Sequence, residues 1–264
     1  MTNTSAAWER IEVAVGEDGV AIVTLNRPLV NAFDQKMYDE VDAFFSDPDQ
    51  AGPDIRAIVL RGAGKHFCAG NDLGEFETMT PANAPMRMQH VRRALFAIQF
   101  CVVPVIAAVH GTAVGTGMAL VCSCDFAVAA EDARLGLPEL TVGVMGGARH
   151  LARLAPEPLV RRMFFTGEVL SAKTFKEAGG TIELCGPDAV METALSLARK
   201  IAALSPTAVR MSKRTLDHTE NMGSRQGYEI EQVATITMSG HADSKEAVRA
   251  VREKRRPRFR PANS

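Results

Sequence analysis

The sequence predicts an α/β protein, with strands crowded into its first half and helices into its second. Three observations carry that prediction. Short β-branched or apolar runs at 11–15, 20–25, 57–60, 105–109 and 126–129 have strand length and end at turn residues. Stripes with helical spacing recur at 156–165, 172–178, 189–204, 207–219, 225–238 and 244–256. Glycine-rich segments at 62–76 and 111–117 follow strand ends, where α/β proteins place their sites.

Taken in order, residues 1–10 are polar and are expected to fray around Trp8. The first two strands flank Gly16-Glu17-Asp18-Gly19, a hairpin signal, and Asn26-Arg27-Pro28 ends the second. Asp34 is placed to cap a helix that buries Met37, Val41, Phe44 and Phe45, and Asp47-Pro48 stops it. The strand 57–60 opens into the loop 62–76, and 80–85 reads as a flexible connector. A helix over 87–100 then buries Val91, Leu95 and Ile98. The apolar run 102–122 has the length of a membrane span. Pro104, His110, Gly111, Gly115 and Gly117 interrupt it, so strand, turn and buried helix is the reading.

The chain has 264 residues and a net charge of −1, so no global field argues for a nucleic acid or membrane partner. Cys68, Cys101, Cys122, Cys124 and Cys185 form no C-x-x-C pair, and a reduced, cytoplasmic setting is expected. The six histidines lack metal-ligand spacing, so no metal is expected. The basic tail from Arg249 to Arg260 reads as a solvated helix end, with binding of a phosphate-bearing ligand or RNA the sharper alternative. Only Phe259 offers an aromatic platform there.

Gly111, Gly115 and Gly117 lack the G-x-G-x-x-G spacing, and no Lys-Ser/Thr follows them as a phosphate loop needs. Ser123 lacks the G-x-S-x-G frame of a hydrolase elbow. What the glycines signal is a tight turn and close approach, for strand-to-helix packing or for backbone N–H groups open at a helix start. Phe67-Cys68-Ala69-Gly70-Asn71-Asp72-Leu73 offers open amides of the same kind. Two such segments can aim two N–H donors at one oxygen, which is an oxyanion hole. Glu139 stands among Leu137, Leu140, Val142 and Val144, where desolvation raises a carboxyl pKa and suits it to proton transfer; a helix cap or a salt bridge is the plainer alternative. Arg149 and His150 open a helix after Gly146-Gly147 as a solvated or structural pair.

Together these stretches resemble the enoyl-CoA hydratase/isomerase (crotonase) superfamily over nearly the whole chain. The resemblance is carried by LNRP at 25–28 with Asn31-Ala32, FCAGNDL at 67–73, PVIAAVHGTAVGTG at 104–117, CDFAVAAEDARLGLPELTVGV at 124–144 and the closing DSKEAVRAVREKRRPRF. It implies a spiral of β-β-α turns over 1–200 and a helical C-terminal trimerisation region over 201–264, assembled as a homotrimer or a dimer of trimers. It also implies an acyl-CoA substrate, with no cofactor beyond that coenzyme A. Ala69 and Thr116 would supply the oxyanion amides, although the family usually has glycine at the latter. Ala69, Gly70, Asn71, Asp72, Leu73, Arg27 and Leu29 would bind substrate.

The family's hydratases use two glutamates. Glu139 matches the second, whereas Ala119 stands at the first, and a methyl group cannot hold water. An isomerase-like double-bond shift with Glu139 alone as general acid/base is therefore expected. The alternatives are a hydratase or hydratase-lyase helped by His150 (with Arg149), Asp72 or Glu75, and a non-catalytic CoA- or RNA-binding homologue.

Overall fold

The computed structural model describes residues 2–3, 8–52 and 54–260. Part of the expected N-terminal fraying therefore lies outside the described residues. In chain order the early elements are β1 (Thr2–Asn3), β2 (Ile11–Val15), β3 (Val20–Leu25), α1 (Gln35–Ser46), β4 (Ala57–Gly62), α2 (Leu73–Glu77) and α3 (Ala84–Gln99). The middle comprises β5 (Val105–Val109), β6 (Thr112–Val114), α4 (Thr116–Ser123), β7 (Phe126–Ala130), β8 (Arg134–Gly136), α5 (Ala148–Leu151), α6 (Glu157–Thr166) and β9 (Val169–Ser171). After them come α7 (Ala172–Glu177), β10 (Glu183–Cys185), α8 (Val190–Ala202), α9 (Pro206–Thr219), α10 (Ser224–Ser239) and α11 (Ala242–Arg252).

The main sheet has the order β1-β2-β3-β4-β5-β7-β10. The β2–β3 hairpin is antiparallel, and β3, β4, β5, β7 and β10 run parallel. Buried on both faces, β5 reads as the continuous run VIAAV, as a central parallel strand should. A smaller sheet, β6-β8-β9, lies beside it. Residue 68 joins its edge by a bridge to Ala113, and Phe33 bridges Asn71. Each spiral turn thus visits the main sheet, then the small one, then a helix: β4, 67–71, α3, followed by β5, β6, α4. The run 102–122 is divided among β5, β6 and α4. Among the described residues no helix is long and apolar enough to cross a membrane.

Helix α1 follows its sequence pattern. The Asp34 carboxylate accepts the Met37 amide at 2.9 Å, and Met37, Val41, Phe44 and Phe45 are fully buried. Glu40 is also buried, because its carboxylate accepts the amides of Glu9, Arg10 and Ile11 at 2.7–3.2 Å.

Other expectations shift. The connector at 80–85 is a hydrogen-bonded turn leading directly into α3. Pro85 falls in the first helical turn, where a missing N–H breaks no bond. Val91 is only partly buried, while Leu95 and Ile98 reach the core as expected. Within 62–76 a short helix forms because the Asp72 carboxylate caps it through the Gly74 amide at 2.9 Å. Helix α8 runs past residue 200 and packs on the main sheet, so the C-terminal helices begin at Pro206. Their apolar Leu216, Tyr228, Val233 and Ile236 are exposed.

Candidate active site

The site is built where three backbone segments meet. The 67–71 segment lies against β6, with the Cys68 amide donating to Thr112 O at 3.0 Å and the Val114 amide to Cys68 O at 3.1 Å. The Gly115 amide then donates to Gly136 O at 3.0 Å, which ties the turn before α4 to the end of β8. Leu137 and Pro138 lead from β8 to Glu139, the first residue of a 3₁₀ turn spanning Glu139–Val142.

Gly115 has φ 58°, in the left-handed region, and a Cβ on it would stand 3.4 Å from Glu139 Oε1 and 3.5 Å from Gly70 Cα. That single turn therefore brings Gly70, the start of α4 and the Glu139 carboxylate together. Gly117 serves close approach instead. A Cβ there would lie 2.1 Å from Cys68 O, so α4 packs directly on the loop backbone. Gly117→Ala is expected to destabilise the fold by about 1–3 kcal/mol through overpacking, measured as a lower urea midpoint at unchanged slope.

Asn31 pins the loop from the other side. Its side chain donates to Ala63 O and His66 O at 2.9 Å and to Phe67 O at 3.2 Å, while its carbonyl oxygen accepts the Arg27 amide at 3.1 Å. Arg27 also pairs with Asp72, and its Nε lies 3.2 Å from Asp34. The Arg27 hydrogen bond holds the Asp72 carboxyl below its usual range. Leu29 and Leu73 are turned out to solvent.

Of the two amides expected to face a thioester oxygen, one already has a backbone acceptor. The Ala69 N–H is taken by Val30 O at 3.0 Å and is not available. Phe33 donates to Gly70 O, and the Asp72 amide donates to Phe33 O, both at 2.9 Å. The Asn71 amide between them turns the opposite way and has no acceptor among the described residues. The Thr116 amide, at the first position of α4, likewise has none. A buried phenol links these two residues. The Tyr38 hydroxyl donates to Asn71 Oδ1 and lies 2.9 Å from Thr116 Oγ1. Burial pushes the Tyr38 pKa up, so it stays protonated.

Glu139 is half-buried, and burial lifts its pKa from 4.5 to about 7. No cation or second carboxylate contributes to that shift, and its Oε2 has no hydrogen-bond partner. The helix-cap and salt-bridge alternatives therefore do not describe it. A desolvated carboxyl beside two unpaired amides can move a proton next to a carbonyl whose oxygen those amides hold.

The profile of the Enoyl-CoA hydratase/isomerase family matches residues 16–262. This chain belongs to that family. Over 231 residues it is 38% identical to the (7aS)-7a-methyl-1,5-dioxo-2,3,5,6,7,7a-hexahydro-1H-indene-carboxyl-CoA hydrolase of Mycobacterium tuberculosis, covering 86% of this chain and 93% of that one. It is 33% identical to the 2,3-dehydroadipyl-CoA hydratase of Escherichia coli, covering 91% and 95%. Among solved structures, an enoyl-CoA hydratase from Bacillus anthracis superposes with a TM-score of 0.89 at 30% identity, covering 95% and 99%. The enoyl-CoA hydratase/isomerase spiral and its helical C-terminal region are thus the fold of this chain.

Within this family member, Ala119 is nearly buried on α4, one turn after Thr116, and offers only a methyl group. The polar pair expected to compensate is engaged by other side chains. Arg149 is exposed and donates to Asn221 Oδ1 at 3.0 Å. His150 Nδ1 lies 3.3 Å from Ser123 Oγ and its ring faces Phe96, at the far end of α4 from Thr116. Burial, then Arg153 and Arg149, lower its pKa. Sequence reasoning missed Tyr38, which sits among the apolar positions of α1 with no local mark of its role.

Proposed function

We propose that this enzyme moves a proton at the carbon alpha to the carbonyl of a coenzyme A thioester, with Glu139 as its only general acid/base. The reaction this supports best is an isomerase-like shift of a carbon–carbon double bond. Glu139 takes a proton from C2 of a 3-enoyl thioester, and the Asn71 and Thr116 amides hold the enolate oxygen. The electron pair then moves through C2 and C3, and Glu139 returns the proton to C4. The observation that carries the reading is Glu139 itself: a lone carboxyl lifted to about 7 by burial, set over the Gly70–Gly115 junction.

Hydration is less well supported, because each candidate second group is engaged elsewhere. Asp72 pairs with Arg27, Glu75 lies 3.4 Å from Arg87, and His150 is on Ser123. A second reading, hydrolysis, is favoured by relatives named as hydrolases of a dioxo carboxyl-CoA in Mycobacterium tuberculosis and Rhodococcus jostii. The same enolate would there be the group released when water cleaves a carbon–carbon bond. Assembly as a homotrimer or a dimer of trimers is supported by the exposed apolar residues of α9 and α10.

The test is to supply 3-hexenoyl-CoA and crotonyl-CoA separately. Conversion of the first to the 2-enoyl isomer, with deuterium entering from D₂O, is the expected result. Fast hydration of crotonyl-CoA that survives Glu139→Gln would overturn the mechanism.

A further inference from the structure

The Tyr38–Asn71–Thr116 link does more than join a loop to a helix. Tyr38 carries one hydroxyl hydrogen, and Asn71 Oδ1 can only accept, so that hydrogen goes to Asn71. Thr116 Oγ1, 2.9 Å away, must then donate to Tyr38. Both hydroxyls are thereby committed, and the Asn71 carboxamide is fixed with its carbonyl toward Tyr38. Its NH₂ group is left with two donors and no partner among the described residues.

Asn71 lines a narrow cavity with Phe33, Tyr38, Phe76, Met88 and Val91. The charged residues at its rim, Glu75 and Arg87, are already paired with each other. Gln35 also lines the cavity, with its Nε2 donating to Asp39 Oδ1 at 3.3 Å, so the Asn71 carboxamide is the donor group of this lining that has no partner among the described residues. Four covalent bonds separate Asn71 N from Nδ2, so its backbone and side-chain donors lie within about 5 Å of one another. A ligand whose thioester oxygen meets the first donor presents its next few acyl carbons to the second.

We propose that Asn71, held by Tyr38, is a specificity-determining residue that selects coenzyme A thioesters carrying a carbonyl oxygen on the third acyl carbon or a neighbour. This rests on the reading that the Asn71 amide faces the thioester oxygen, and it narrows the substrate class to oxo-substituted acyl groups. Tyr38 acts as a positioning residue. Without its hydroxyl the carboxamide can flip and present its own carbonyl, which repels the substrate oxygen.

The probe pair is acetoacetyl-CoA and butyryl-CoA, equal in chain length and differing by the 3-oxo group, with dissociation constants measured by calorimetry. The wild-type protein is expected to favour acetoacetyl-CoA by about tenfold, near what one added hydrogen bond supplies. Asn71→Ala keeps the backbone amide and should bring the ratio of the two constants close to one. Tyr38→Phe, nearly isosteric, should lower the same ratio and guards against misfolding of the first variant. A merely structural role would weaken both ligands equally and preserve the ratio; that outcome, or no change at all, overturns the proposal. Exchange of the C2 hydrogens of butyryl-CoA with D₂O, dependent on Glu139, is followed in parallel. Its loss would count against the proton-transfer mechanism, whereas a preserved affinity ratio counts against Asn71 alone.

Discussion

Glu139→Gln is expected to lower turnover of any acyl-CoA substrate by about 10²–10⁴-fold, the usual contribution of a positioned acid/base. The amide keeps the shape of the carboxyl and loses its capacity to exchange a proton, so ligand binding should change far less than rate. Because proton removal needs the ionised form, kcat/KM of the wild type should rise with pH through about 7 and then level. Stability should move the other way. The folded-state pKa of Glu139 lies above the unfolded value, so the folded protein binds more protons between them. Stability associated with this group is full below about 4.5 and is lost as pH rises through about 7. The glutamine variant should therefore melt higher than wild type at pH 8 and match it near pH 4. A calorimetric series across that range, set beside the rate profile, checks both signs. An unchanged rate, or a variant less stable at pH 8, would remove Glu139 from its role.

Thr116→Pro tests the oxyanion hole through its backbone. Position 116 is the first residue of α4, where proline is tolerated and the N–H has no helical acceptor to lose. The substitution deletes one donor, and removing one such donor costs about 10²–10³ in kcat. Thr116→Val keeps the amide and removes only the hydroxyl bonded to Tyr38. Its loss is expected to be at least ten times smaller, as the sequence-independent part of the site is retained. Equal losses in the two variants would place the effect in the side-chain link instead of the amide.

Much of the architecture was legible because it is encoded locally. The α1 stripe of Met37, Val41, Phe44 and Phe45, its Asp34 cap and the apolar β5 strand depend on neighbours a few residues away. The strands β6, β8 and β9 were not legible. Three residues each are too few to show a period, and they exist only because partners from distant segments complete their hydrogen bonds. The partners of the Arg149–His150 pair were not legible for a related reason: Ser123 and Asn221 lie far from it along the chain and meet it only on folding.

The sequence by itself determined the family, the surviving carboxylate at Glu139 and the methyl group at Ala119, since these are matters of residue identity. Its apolar neighbours also foretold the raised pKa of Glu139, because desolvation depends on what packs nearby more than on a particular geometry. Tertiary structure alone decided which amides are free. Ala69 and Asn71 stand two residues apart in one loop, and either is a plausible donor as written. Val30 captures the first, while pairing with Phe33 turns the second outward. Tyr38, 33 residues before Asn71, then fixes which end of the carboxamide faces the cavity. A backbone donor's availability depends on who else accepts from it, and those acceptors come from parts of the chain that meet only on folding.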